Sequence, residues 1–226
     1  MIISDFDDTF SNNLEKNIEY ANKFMSNRNI FVIATGSSYQ SYNDKLKGND
    51  FIPNYIIANH GTLIYKNGNI ISEKTINKNV VNDIYNIILK ENNISYFFCN
   101  KDIRMSQKPL DKTVKINIEF KNKDAAIKFK SKIIEKFSKY INCYLMYNKV
   151  IEIISIDASK ILAINKIINI EEIDKKDVYT IGDGYNDLEM IKLFKGYAMK
   201  NSVKELKQNA IEILNNVYEL IQKVEK

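Results

Sequence analysis

What most constrains this chain is a set of short, unbroken apolar runs separated by stretches of helical period. Ile30-Phe31-Val32-Ile33-Ala34 is continuous and rich in β-branched residues. That composition suits a strand buried on both faces of a parallel sheet. Residues 1–4 form a shorter run closing on Asp5. Tyr55-Ile56-Ile57-Ala58, Val178-Tyr179-Thr180-Ile181 and Tyr197-Ala198-Met199 read the same way. Between these runs the period lengthens. Leu14, Ile18, Ala21 and Met25 place a helix over 13–28, and residues 37–47 suit a second. Ile161, Ile164, Ile167 and Ile168 mark another, and one more is expected over Asn186–Phe194, with further helices toward the C-terminus. Strands alternating with helices make βαβ units, so the expected class is α/β: a Rossmann-like parallel sheet.

The middle of the chain departs from this rhythm. Leu63-Ile64-Tyr65 and Ile70-Ile71 flank Asn67-Gly68, a strong hairpin signal. A helix is expected over 78–92. Thr113-Val114-Lys115-Ile116-Asn117-Ile118-Glu119-Phe120 alternates apolar and polar, as a half-exposed antiparallel strand does. A helix over 123–139 follows, then strands over 141–147 and 150–155 joined by a tight turn at Asn148-Lys149. The expected organisation is a discontinuous core domain, 1–60 with 157–226, into which an α+β domain, 61–156, is inserted.

Composition removes several function classes. The chain has 226 residues, 45% hydrophobic and 27% charged, as in an ordinary globular protein. No apolar run reaches the roughly 18 residues of a membrane span. The N-terminus turns acidic at Asp5 without a basic segment, so a secretory signal is not expected and a cytoplasmic location is. Cys99, Cys143 and a single histidine fall short of the roughly four ligands of a structural zinc site. Both thiols are expected reduced and part-buried. Net charge is +5, but the lysines are interleaved with acids, so no nucleic-acid partner is expected. A mildly positive field would still favour a phosphorylated ligand.

Four segments carry the chemistry. Ser4-Asp5-Phe6-Asp7-Asp8-Thr9 lies at the end of the first strand, where alternation lets Asp5 and Asp7 point the same way at the carboxyl edge of the sheet. Two such carboxylates need a cation or a raised pKa. Either outcome is useful, for a nucleophile or for a proton donor. The plain alternative is an acidic turn. Gly182-Asp183-Gly184-Tyr185-Asn186-Asp187 follows a later strand, with glycines for close approach and two more carboxylates suited to magnesium. Alone, it would be a capped loop. Thr35-Gly36-Ser37-Ser38 offers hydroxyls and backbone N–H groups for a phosphate, or a simple N-cap. Lys160 would neutralise phosphate charge, or lie on the surface like most lysines.

Together, DFDDT, ATGSS, SK and GDGYNDLEM, in this order, resemble the haloacid dehalogenase (HAD) superfamily, and the last segment resembles its Cof-like class of phosphatases, class IIB. The resemblance implies a Mg2+-dependent phosphatase acting on a small phosphorylated metabolite, a sugar phosphate or related phosphomonoester. Asp5 would be the nucleophile, and Asp7 the acid that protonates the leaving group and later activates water. Thr35, Gly36 and Lys160 would hold the phosphoryl group, and Asn186 would support the phosphate side or the metal shell. Asp5, Asp7 through its backbone carbonyl, and Asp183 would bind the metal, with Asp187 close by. The inserted segment would be a mobile, substrate-selecting cap, with Arg104, Lys101 and Lys108 as candidate contacts. His60 would face the cleft or pack at the hinge. Two departures stand out: Ser37 and Ile161 occupy places where related sequences often carry Arg and Gly. The cap is also short for the class, which points to a more open site. A monomer or homodimer is expected. A phosphomutase of the same architecture and a non-catalytic binding protein on this fold are the competing readings; the presence of Asp5, Asp7 and Asp183 argues against the second.

Overall fold

The computed structural model describes residues 1–46 and 48–225. The chain begins with β1 (Ile2–Ser4), α1 (Leu14–Ser26), β2 (Phe31–Ala34), α2 (Tyr39–Leu46), β3 (Tyr55–Ala58), β4 (Leu63–Lys66) and β5 (Asn69–Glu73). The middle forms α3 (Lys78–Ile88), β6 (Ser95–Cys99), β7 (Lys115–Glu119), α4 (Lys123–Phe137), β8 (Ile141–Met146) and β9 (Val150–Ser155). The last part runs through α5 (Lys160–Ile170), β10 (Tyr179–Gly182), α6 (Leu188–Leu193), β11 (Lys195–Met199), α7 (Lys204–Asn209), β12 (Glu212–Leu214) and α8 (Val217–Val224).

Two compact units result: Met1–Ile71 together with the chain from Lys160 onward, and Ser72–Ser159. The first is built on a sheet of order β12-β11-β10-β1-β2-β3-β4-β5. Neighbours from β12 to β3 are parallel, and β4 returns antiparallel to β3. Ser4 is in register with both Ile181 and Ile33, so the carboxyl ends of β10, β1 and β2 lie side by side. Ile3, Val32, Ala34 and Ile57 share a buried cluster with Ile164 and Ile167 of α5. Each isoleucine or valine among them contributes about 1.5–3 kcal/mol on burial. Phe31 joins a different group, with the Phe10 ring 5.5 Å away and Phe51 stacked 5.1 Å from Phe10. The continuous apolar run of β2 is thus used on both faces, as its composition requires.

The second unit is a four-stranded antiparallel sheet, β6-β7-β9-β8. Ile116, Ile118, Ile151 and Ile153 pack against Val81 and Ile84 of α3 and Phe129 and Ile133 of α4. The alternate residues of β7 carry polar groups: Lys115 and Asn117 both reach Glu152 Oε1 of β9, at 2.9 and 3.0 Å. Asn122 caps α4, its side chain accepting from the Ala125 N–H.

Several expectations need correction. The Asn67-Gly68 hairpin forms, with φ of 49° and 77° at its two turn residues, but it extends the large sheet instead of opening the inserted segment. Leu63, Ile64 and Tyr65 are all buried, so they read as β2 does. The boundaries between the compact units accordingly fall near 71 and 159, not 60 and 157. Helix α3 ends at Ile88, short of 92, and α4 at Phe137. Lys47, at the end of the helix expected over 37–47, lies outside the described residues. The β8–β9 turn bends at Tyr147 and Asn148, both with positive φ. Strands β6 and β12 were not anticipated. Cys99 and Cys143 are free thiols. Burial pushes them up to about 11 and about 12 respectively. Among the described residues no helix is long and apolar enough to cross a membrane.

Candidate active site

The carboxyl ends of adjacent parallel strands are where α/β sheets gather functional side chains. Here β1 stops at Ser4, and the Asp5 N–H donates to Ile181 O of β10 at 2.9 Å. The chain then turns sharply. The Phe10 and Ser11 N–H groups donate to Asp5 O and Phe6 O, at 3.3 and 2.9 Å, and Asp8 is left-handed with φ of 56°. Strand alternation therefore ends before it can align Asp5 with Asp7. Asp5 is buried beside β10, whereas Asp7 is half-buried and turned toward β2.

Lys160, the first residue of α5, is 4% exposed and bridges two acids. Its Nζ lies 2.7 Å from Asp5 Oδ1 and 2.6 Å from Asp187 Oδ1. Asp187 is fully buried, and its Oδ2 accepts from the Asp183 and Gly184 N–H groups at 3.2 and 3.1 Å. Gly182 has to be glycine: a Cβ there would meet the Asp187 side chain at 2.6 Å. Thr9 Oγ1 donates to Asp183 Oδ1 at 2.8 Å, joining the two acidic loops. One carboxylate oxygen each from Asp5, Asp183 and Asp187 lies within 4.8 Å of the others.

Burial, reinforced by Asp187, pushes the Asp5 carboxyl well above the usual carboxylate range. Asp183 rises to about 6, chiefly through burial, with Asp187 and Asp8 adding to it against the Thr9 hydrogen bond. Burial alone would lower Lys160, but Asp187 and Asp5 outweigh it and hold the ammonium protonated. One ammonium against three carboxylates would leave two negative charges in a largely buried cluster once all three ionise. Such an excess is tolerable beside a divalent cation. All-oxygen donors close enough to converge on one ion suit hard Mg2+. The residues present fit that metal.

A second network lies beside the first. Asp7 Oδ2 accepts from Ser37 Oγ at 2.8 Å and from Thr35 Oγ1 at 3.5 Å, while Oδ1 is held by Lys45 Nζ of α2. Thr35 Oγ1 also accepts from the Ser37 N–H at 2.9 Å. The loop is pinned from β3: the His60 N–H donates to Thr35 O at 3.1 Å and the Asn59 N–H to Ser37 O at 2.9 Å. Asn59 and His60 both hold left-handed backbones, φ 49° and 58°. The His60 ring is buried against Gly36, where a Cβ would meet it at 2.5 Å. Of its two expected places, His60 thus takes the packed one.

Asp5, Lys160, Asp183 and Asp187 therefore form one network, and Asp7 with Thr35 another, next to Gly36. The Asp7 carboxylate is not among the three clustered carboxylates, so any share it has in a metal shell falls to its backbone carbonyl. Asn186 is half-buried in the 3-10 turn Tyr185–Asp187. Arg104, with Lys101 and Lys108, is exposed on the β6–β7 loop of the second unit. Three contacts go beyond the expected site: Thr9 on Asp183, and Ser37 and Lys45 on Asp7. Thr9 and Ser37 stand inside motifs already marked, whereas no local signal singles out Lys45 on α2.

A family model for haloacid dehalogenase-like hydrolases matches residues 2–123 and 101–219. An uncharacterised protein from Mycoplasma capricolum subsp. capricolum is 26% identical, covering 97% of this chain and 98% of its own. A haloacid dehalogenase-like hydrolase from B. subtilis superposes with a TM-score of 0.84 at 17% identity over 98% of each chain. A HAD subclass IIB sugar phosphatase, BT4131, superposes with a TM-score of 0.79 at 13% identity, over 99% of this chain and 98% of its own. At those identities the structures speak for the fold alone. The family model spans nearly the whole sequence, and on that ground the chain belongs to the haloacid dehalogenase-like hydrolases.

Proposed function

We propose that this chain is a magnesium-dependent phosphatase that hydrolyses a small phosphorylated metabolite, a sugar phosphate or related phosphomonoester, through an aspartyl-phosphate on Asp5. The observation that carries this reading is the buried Lys160 bridging Asp5 and Asp187, with Asp183 in the same cluster. Asp5 attacks phosphorus: an Asp5 O–P bond forms as the ester P–O bond breaks. Asp7 gives its proton to the departing oxygen, then takes one from the water that cleaves the aspartyl-phosphate. Thr35, the Gly36 N–H, Lys160 and Asn186 hold the phosphoryl oxygens, since this chemistry is mostly positioning and charge neutralisation. Mg2+, held by Asp5, the Asp7 carbonyl and Asp183, supplies neutralisation of phosphoryl charge when bound. Asp187, with both oxygens already engaged, orients Lys160 and the Asp183 loop from beside the ion. The second unit serves as the substrate-selecting cap, with Arg104, Lys101 and Lys108 as its candidate contacts.

A magnesium-supplemented screen of phosphorylated sugars, nucleotides and cofactors tests the reading. Phosphate release that disappears on chelation supports it. Isomerisation without net phosphate release, in an arm containing a bisphosphate activator, would assign a mutase, and no turnover on a broad panel would count against catalysis.

Two further outcomes are expected. Gly36→Ala should force the Thr35–Ser37 loop off the His60 ring. Since misplacement by about 1 Å costs on the order of 10²-fold, kcat/KM should fall at least about tenfold with an unchanged circular dichroism spectrum; full activity would refute the clamp. The second outcome concerns pH. The folded state binds a proton at Asp183 up to about pH 6, more tightly than the unfolded chain does. Its contribution to metal-free stability therefore declines as pH rises through that window, and Mg2+ must displace the proton below it. Mg2+ should raise Tm clearly at about pH 7.5 and much less at about pH 5. In Asp183→Asn, which removes a ligand, the Mg2+ effect on Tm should shrink at both pH values.

A further inference from the structure

We infer that Lys45 is a positioning residue for Asp7, holding its carboxyl group against the Thr35–Ser37 loop so that its proton reaches an unactivated leaving oxygen. The inference rests on the phosphatase reading. Both oxygens of Asp7 are fixed by groups from the β2–α2 region: Oδ1 by Lys45 Nζ, which also lies 3.5 Å from Ser37 Oγ, and Oδ2 by Ser37 Oγ at 2.8 Å, a hydroxyl that can accept as well as donate and so lets Oδ2 carry the proton. The delivery of Lys45 has a structural cause. Tyr42 is buried and packs edge-on against Phe6, centroids 4.8 Å apart. Phe6 is the residue between Asp5 and Asp7, so α2 is docked on the turn that carries both acids. Lys45 follows Tyr42 by three positions and shares its helix face. Packing at Tyr42 thus sets the cation over Asp7.

Lys45 is half-exposed, with 44% of its side chain accessible. Ion pairs in such places add little to stability, so its effect belongs on the reaction. In the cleaving step the ester P–O bond breaks, its electron pair goes to the leaving oxygen, and the Asp7 proton follows it there. An alkoxide needs that proton, while a nitrophenolate departs without it. General-acid help is commonly about 10²–10⁴-fold, and a misaimed Asp7 would lose part of it.

The test compares kcat/KM, which covers steps up to ester cleavage, for the parent, Lys45→Met and Lys45→Arg on nitrophenyl phosphate and on an alkyl phosphomonoester. Lys45→Met is expected to lose at least about tenfold more on the alkyl ester than on the aryl ester. Lys45→Arg should restore most of the loss, with Tm unchanged in both variants. An equal fall on both esters, or no fall on either, overturns the inference while leaving the phosphatase reading intact. The alkyl ester is the best substrate from the broad panel; if the parent cleaves nothing on that panel, the phosphatase reading fails and the inference fails with it.

Discussion

Asp5→Asn is expected to abolish phosphate release, by at least about 10⁴-fold, while leaving the metal-free protein as stable as the parent or more so. On the proposed mechanism, the activity loss follows from removing the attacking oxygen, which no neighbour replaces: Asp187 has both oxygens engaged and the Asp7 carboxylate is held by Ser37. The stability result follows from electrostatics. Burial and the neighbouring Asp187 push the Asp5 carboxyl up, which means that its charge opposes folding at neutral pH. A neutral amide of the same shape removes that penalty, and Lys160 keeps Asp187 as its partner. Thermal unfolding in chelator and a phosphate-release assay read both halves. A folded Asp5→Asn protein with parent activity would remove Asp5 from the mechanism, and a large drop in Tm would recast it as structural.

Lys160→Met should be costly in both respects. It leaves Asp5 and Asp187 buried, close and without their shared cation. Breaking a buried pair by deleting one partner typically costs about 3–5 kcal/mol, and in a chain of this size that is a fall in Tm of roughly 6–20 °C. Raising the pH should deepen the loss as the orphaned Asp5 ionises, and Mg2+ should return part of it. On the proposed mechanism, activity should drop by at least about 10²-fold, because the phosphoryl group would lose its cation. A variant that keeps the parent Tm and rate would show that the bridge is incidental.

The parallel sheet was legible because its strands are continuous apolar runs: Phe31–Ala34 and Tyr55–Ala58 emerge as β2 and β3 where expected. The same rule, applied to Leu63-Ile64-Tyr65, would have put the hairpin in the large sheet. The Asn67-Gly68 turn signal drew attention to the connection and away from the burial of the strand before it. Within the site, the acidic motifs stand at the ends of β1 and β10, and the structure brings Asp5, Asp183, Asp187 and Lys160 together. Strand alternation does not reach from Asp5 to Asp7, because β1 ends at Ser4 and a tight turn takes over. Lys45 was invisible for a different reason. Its role depends on where Tyr42 docks, a tertiary contact between Tyr42 and Phe6 that no local pattern reports.

The central claim is that the acids gathered at one sheet edge make Asp5 a nucleophile toward phosphorus. Its most direct test is the mass of the N-terminal peptide after acid quench during turnover with Mg2+. The account predicts one added phosphoryl group on Asp5, absent with chelator and absent in Asp5→Asn. Steady phosphate release with Asp5 unmodified at every quench time, or the phosphoryl group on another residue, would contradict it.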